Sequence, residues 1–233
     1  HAFTFIIQFG AILSVVCLYW KRFFQMRNYE DFISKMKFYE LLIVGVIPAV
    51  VVGLAAKKSG LLDRLLDSVE VVAVMLVLGG IFMLFCDRIF IMGREENKVT
   101  CKRAFFIGLF QCLSVIPGMS RSMSTIVGGM QQKLTRKNAA EFSFFLAVPT
   151  MAGATLLDLI EMFGEDTKWA TSNNIMLLIV GCVIAFFVAL LAMKWFVSFL
   201  TKYGFKAFGW YRIVVGLIIL VMLLTGHSLV MAS

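Results

Sequence analysis

Apolar residues along this chain gather into long runs, and six of them approach the ~20 residues that a membrane-spanning helix needs: 3–20, 41–56, 69–85, 142–160, 175–200 and 208–224. Polar and charged positions fall mostly between the runs. One polar stretch breaks this rule. Residues 117–130, PGMSRSMSTIVGGM, place hydroxyls, glycines and one arginine among segments that otherwise read as spans. The apolar run before it, 104–116, has 13 residues, about 20 Å of helix at 1.5 Å per residue, too short for a hydrocarbon core of ~30 Å.

Composition agrees with the pattern. With 61% hydrophobic residues, a mean hydropathy of +0.91 and 15% charged residues, the 233 residues are too apolar for one soluble domain. The net charge of +8 lies in loops with no basic stripe interleaved with aromatics, which excludes nucleic acid as a partner and points to orientation in a bilayer. Lys21, Arg22, Arg27, Lys35 and Lys37 share one loop, and Arg88, Arg94, Lys98, Lys102 and Arg103 another two spans later. Both are expected in the cytoplasm. The loop with Glu161, Glu165, Asp166 and Lys168 then falls outside, and Lys202, Lys206 and Arg212 fall inside again.

This alternation holds only if the segment 104–137 begins and ends on the cytoplasmic side. A re-entrant hairpin over 104–130 satisfies it: the first helix goes part of the way in, Pro117 and Gly118 stop it, and the chain climbs back toward Lys133, Arg136 and Lys137. The competing expectation is an ordinary solvated loop after a short tilted span. Backbone turned at such depth requires protein or a wet cavity around it.

An internal repeat is also present. Ala2-Phe3-Thr4-Phe5 aligns with Glu141-Phe142-Ser143-Phe144 at an offset of 139, GVIPAVVVGLAA from Gly45 with GCVIAFFVALLA from Gly181 at 136, and Val77-Leu78-Gly79 with Val214-Val215-Gly216 at 137. Three near-equal offsets in order indicate a duplicated three-span unit, 1–103 and 104–233, and an odd number of spans inverts one copy relative to the other. The expected fold is an all-α polytopic membrane protein: an inverted repeat of three-span units, each preceded by a re-entrant helical hairpin. The counterpart of hairpin 104–130 would lie before His1, so the first hairpin is expected to be absent from this chain.

The surviving hairpin suits an anion. A returning helix that starts near Ser120 presents unpaired N–H groups and the positive end of its dipole. Arg121 adds a bidentate donor matched to phosphate, and Ser120, Ser122, Ser124 and Thr125 add hydroxyls. Arg121 and Thr125, four apart, share a helix face. Gly128 and Gly129 allow another helix to pack closely. Gln111 either lines the cavity or bonds a neighbouring helix. Glu141 either reaches the site or compensates the dipole of its own helix.

Other polar residues have plainer readings. Lys194 and Asp158 lie near span ends and can snorkel; Pro48 and Pro149 kink their helices. Cys17, Cys86, Cys101, Cys112 and Cys182 show no metal-type spacing and read as free thiols. His1 and His227 support neither a metal cluster nor a catalytic triad.

FQCLSVIPGMSRSMSTIVGGM followed by AAEFSFFLAVPTMAGATLLDL resembles the second signature region of the bacterial undecaprenyl-pyrophosphate phosphatases, the bacitracin-resistance family. The likeness extends through IIQFGAILSVV and GVIPAVVVGL, over essentially the whole chain. It implies a multi-pass enzyme of the bacterial plasma (inner) membrane that hydrolyses undecaprenyl diphosphate to the monophosphate and inorganic phosphate, recycling the lipid carrier for peptidoglycan synthesis. The family's Pro-Gly-x-Ser-Arg-Ser segment falls on Pro117, Gly118, Ser120, Arg121 and Ser122, and its following threonine on Thr125; Met123 stands where the family commonly has glycine. The resemblance thus implies catalytic and pyrophosphate-binding roles for Ser120, Arg121 and Thr125. It also implies a divalent cation, Mg or Ca, with the attacking group, acid or base and metal carboxylates on the first hairpin.

A second reading comes from a different class. Inverted repeats and broken helices are equally the marks of transporters, so a transporter or flippase for an anionic lipid or solute is the competing expectation.

Overall fold

The computed structural model describes residues 2–25, 29–60, 65, 68–90, 93–164 and 172–225. His1, Arg27, Glu165, Asp166, Lys168 and His227, singled out above, lie outside the described residues. All regular structure among the described residues is helical: α1 (Ala2–Leu18), α2 (Trp20–Phe24), α3 (Tyr29–Lys58), α4 (Val69–Ile89), α5 (Cys101–Gln111), α6 (Arg121–Gln131), α7 (Arg136–Gly164), α8 (Ser172–Tyr203) and α9 (Lys206–Leu224), with a 3-10 turn at Cys112–Val115.

Five helices are long and apolar enough to cross a membrane: Glu30–Lys58, Val69–Ile89, Arg136–Leu156, Met176–Tyr203 and Lys206–Leu224. The chain is a multi-pass membrane protein. The sixth expected span is α1, whose 17 residues reach only about 25 Å at 1.5 Å per residue. The expected basic loop between the first two spans is mostly helix as well. Lys35 and Lys37 lie within the 30-residue α3, and Lys35, Phe38 and Leu42 are buried at helical spacing.

Pro48 and Pro149 both sit inside helices, where each removes an i→i−4 hydrogen bond. The five cysteines are free thiols.

The chain divides into two compact units. One comprises residues 1–42 and 144–197, and its core is aromatic. Phe145 meets Tyr19, Phe23 and Phe38 edge to face at centroid distances of 4.8, 5.8 and 5.3 Å, the arrangement the ring quadrupoles prefer. Lys35 is buried there because its ammonium caps the end of the α1–α2 segment, donating to the carbonyls of Lys21 and Arg22 at 3.2 and 3.5 Å. Tyr39 Oη donates to the Phe23 carbonyl at 2.8 Å.

The other unit comprises residues 43–143 and 198–233. It is built on the pairing of α4 with α9, and glycines set how closely the two approach. A Cβ on Gly80 would stand 2.8 Å from the Gly209 carbonyl oxygen, one on Gly209 2.8 Å from the Gly80 carbonyl oxygen, and one on Gly216 2.7 Å from Val77 Cγ2. Such small-residue seams are how apolar helices gain packing without a hydrophobic driving force. At one end of the pair, Asp87 on α4 receives Arg136 of α7 and the backbone N–H of Phe205, just before α9.

Candidate functional site

The segment singled out in the sequence folds as a helical hairpin. α5 and α6 have 11 residues each, about 16 Å of helix, so neither crosses a ~30 Å core alone. α5 buries Ala104, Ile107, Gly108 and Gln111, a stripe at i, i+3, i+4 and i+7. It packs on α3, where a Cβ on Gly108 would collide with the Gly45 carbonyl. α6 is different: every residue from Met123 to Met130 is buried. A helix covered all round is an interior element. The stretch is therefore no solvated loop.

Both ends of the hairpin lie together. Asn97 Nδ2 donates to the Lys133 carbonyl at 2.8 Å, and Lys133 itself has φ 63°, which ends α6 in the left-handed conformation. Within the hairpin, Gly128 and Gly129 do the expected close packing: a Cβ on either would stand 2.8 Å from Phe110 Cβ or Ala139 Cβ respectively.

At the tip, the 3-10 turn leads into Pro117 and Gly118. Gly118 has φ +84°, and a Cβ there would press on Val72 and Met75 of α4. This turn needs glycine for conformation and for space. Ser120 is the N-cap of α6, its Oγ accepting from the Met123 N–H at 3.3 Å while its own proton stays available to donate. The first intrahelical bond runs from Ser124 N–H to the Ser120 carbonyl at 3.0 Å, so the amides of Ser120, Arg121 and Ser122 precede the ladder at the positive end of the dipole. Arg121 and Ser122 are half-buried beside them.

Thr125 lies one turn further in, on the face of Arg121. Its Oγ1 donates toward the Arg121 carbonyl at 2.9 Å, lies 3.2 Å from the Ser122 carbonyl and is 2.6 Å from Ser143 Oγ on α7. Thr125 is 2% exposed. Its hydroxyl ties the start of α6 to α7. Gln111, the last residue of α5, is buried within the hairpin. Glu141 is half-buried on α7, and two residues from Ser143 corresponds to a ~200° rotation around a helix, so Ser143 is the α7 residue that meets Thr125.

Two residues join the site that the sequence reading did not place there. Ser143 served only to align the repeat. Arg212 was grouped with the loop cations Lys202 and Lys206, yet it lies inside the apolar α9, 9% exposed, with Nη2 donating to the carbonyls of Gly118 at the hairpin tip and Met75 on α4. The signal for Arg212 was there to be used, because an ionisable residue inside a span marks function by default.

Among the described residues, no three of His, Cys, Asp and Glu come together to hold a metal ion. What the tip offers is hydrogen-bond donors and positive charge.

The chain matches the family described as "Bacitracin resistance protein BacA" over residues 1–218. It is 52% identical to an undecaprenyl-diphosphatase of Porphyromonas gingivalis, covering 98% of this chain and 84% of that one. The undecaprenyl-diphosphatase of Bdellovibrio bacteriovorus is 45% identical over 99% of this chain and 83% of its own length, and that of Aquifex aeolicus 42% over 93% and 80%. With a family match that runs through the buried hairpin and its arginine-bearing tip, the chain belongs to the bacitracin resistance protein family.

Proposed function

We propose that this protein is a membrane phosphatase that hydrolyses undecaprenyl diphosphate to undecaprenyl phosphate and inorganic phosphate, serving peptidoglycan synthesis and bacitracin resistance from the bacterial inner membrane. The observation that carries the reading is the tip of the hairpin, where Ser120, Arg121 and the first amides of α6 converge at a helix N-terminus within a buried element. A diphosphate placed there meets the positive end of a dipole, backbone N–H groups and a planar guanidinium that grips two oxygens at once. In the net reaction the bond between the terminal phosphorus and the bridging oxygen breaks, the lipid monophosphate leaves with that oxygen, and the elements of water end on the released inorganic phosphate. Arg121 and the amides hold the phosphates in place and neutralise the charge that builds on the equatorial and leaving oxygens. Ser120 and Ser122 add hydroxyl donors at the rim. The polyprenyl tail stays in lipid or in an apolar groove.

The described residues do not gather the donors that the divalent cation of the family resemblance would need.

The architecture proposed around this site is an inverted repeat with a re-entrant hairpin. The α4–α9 pairing supports it, since the Arg212–Met75 hydrogen bond joins positions 137 apart, the same offset that aligns Val77-Leu78-Gly79 with Val214-Val215-Gly216. A residue pair related by the repeat offset and in direct contact is what an axis of pseudo-symmetry passing between α4 and α9 produces. A hairpin closed at one end by Asn97 and Lys133 supports re-entry from a single side.

An inverted repeat serves a transporter equally well, so architecture does not choose between the two readings. The relatives' names favour hydrolysis. The test is phosphate release from a polyprenyl diphosphate in detergent. Arg121→Ala should lose 10²–10³-fold in kcat/KM, the magnitude of one lost transition-state donor, with Arg121→Lys in between. Near-normal rates for both variants would overturn the proposal.

A further inference from the structure

We propose that Arg212 is a positioning residue for the diphosphate site, acting through the backbone carbonyl of Gly118; this rests on reading the hairpin tip as that site. Arg212 comes from α9, far from the hairpin in sequence, and lies within a helix that is otherwise apolar along its spanning length. Its Nη2 donates to the Gly118 carbonyl and, at 3.4 Å, to the Met75 carbonyl, so that one guanidinium clamps the hairpin tip to α4. Space is made for it. Gly79 on α4 is where it passes, and a Cβ there would stand 2.8 Å from Nη2.

The burial of this guanidinium is costly. Arg212 is 9% exposed and its Nε is buried with no hydrogen-bond partner, and among the described residues no carboxylate lies within ion-pair distance of it. A buried cation left partly unsatisfied and without a counter-charge weakens a fold rather than strengthening it. An apolar side chain of similar length would serve α9 packing better. The placement makes sense through what it does to the tip.

Gly118 lies two residues before the N-cap Ser120. A peptide carbonyl is the negative end of its dipole, and one directed at a bound diphosphate would repel it. By engaging the Gly118 oxygen, Arg212 turns that negative end away. The amides of Ser120 to Ser122 are then held toward the anion before it arrives, which is the preorganisation that electrostatic catalysis depends on.

The experiment measures kinetics and unfolding together for wild type, Arg212→Met, Arg212→Lys and Arg121→Ala, in detergent with a polyprenyl diphosphate. Arg212→Met should lower kcat/KM about 100-fold, the cost of a small misplacement, mainly through kcat. Its unfolding midpoint should equal or exceed that of wild type. Arg212→Lys should recover part of the rate, and added guanidinium ion should raise the rate of Arg212→Met above that in sodium chloride of equal ionic strength. A residue that only stabilises the fold predicts the opposite pairing, activity and unfolding midpoint falling together with no response to guanidinium. That result, or a rate for Arg212→Met within threefold of wild type, overturns the inference. If Arg121→Ala is inactive while Arg212→Met is normal, the positioning role alone falls. If Arg121→Ala is itself normal, the reading of the tip as the diphosphate site falls, and this inference with it.

Discussion

The carboxylate of Asp87 lies 2.9 Å from the guanidinium of Arg136, and its second oxygen accepts the backbone N–H of Phe205 at 2.8 Å. Three parts of one unit meet at this side chain: the end of α4, the start of α7 and the turn between α8 and α9. The two kinds of bond differ. Asp87 Oδ1 and Arg136 Nε each have no hydrogen-bond partner although the pair is close, so the Arg136 interaction is one of charge at an unfavourable angle, while the Phe205 bond is directional. Gly204 completes the arrangement, with φ +71° and no room for a Cβ beside the Asp87 carboxylate.

Asp87→Ala should therefore lower stability by about 3 kcal/mol, because it strands Arg136, itself only 16% exposed. Asp87→Asn strands Arg136 as well but keeps an acceptor for Phe205, so it should cost about 1 kcal/mol less. Urea or thermal unfolding in detergent, followed by tryptophan fluorescence, reads the difference. Equal losses in both variants would show that charge, rather than the Phe205 bond, carries the whole effect.

Gly118→Ala should be damaging for two independent reasons. Alanine is strained at φ +84°, and its Cβ would press into the Val72 carbonyl and Met75 of α4. Because the turn must shift to relieve both, the loss should be larger in kcat/KM, about 100-fold, than in the unfolding midpoint. Gly153→Ala provides the control, since nothing lies within 4 Å of a Cβ there; it should leave both measurements unchanged.

How much of this was legible in the sequence follows from what kind of signal each feature leaves. Long apolar runs announce spanning helices directly, and five of the expected six appear at the required length. The break between the short helices α5 and α6 was legible too, because Pro117 and Gly118 stop a run too short to cross. The early part of α3 was not. Lys35 is buried there, and a pattern that counts lysine as polar reads a loop, whereas the fold solves its burial with the Lys21 and Arg22 carbonyls. Arg212 was misplaced for a related reason, since its position six residues into α9 looked like one more basic flank. Ser143 left no local signal at all. Its partner Thr125 is 18 residues away, and no periodicity connects a hairpin helix to the next span.

A native side chain can report the orientation in the membrane. Cys101 is exposed at the start of α5, beside Lys98, Lys102 and Arg103, and basic loops stay in the cytoplasm. A membrane-impermeant maleimide should label Cys101 in inverted vesicles and leave it unlabelled in intact spheroplasts. The variant retaining Cys101 alone isolates the signal. Labelling from the outside would reverse the assigned topology and place the closed base of the hairpin on the opposite face.

The hydroxyl oxygens of Thr125 and Ser143 are 2.6 Å apart in a buried setting. One of the two must donate to the other. Thr125 Oγ1 has the Arg121 carbonyl 2.9 Å away as a second acceptor, so the consistent arrangement has Ser143 donating to Thr125 and Thr125 donating to the carbonyl of Arg121. Thr125→Val keeps the volume, removes both bonds and leaves the Ser143 hydroxyl buried without its acceptor. It should cost about 1–3 kcal/mol in stability. Ser143→Ala leaves Thr125 its bond to Arg121 and should cost about 1 kcal/mol. The double variant removes the stranded group as well, so its cost should fall below the sum of the two singles, a coupling that unfolding measurements resolve directly. Activity should follow Thr125 more than Ser143, because only Thr125 touches the backbone of Arg121. We expect roughly a tenfold loss in kcat/KM for Thr125→Val and a smaller one for Ser143→Ala, about 1.4 kcal/mol against a fraction of it. Additive stabilities would mean that Thr125 serves the site independently of its link to α7, whereas equal kinetic losses would mean that it acts wholly through that link.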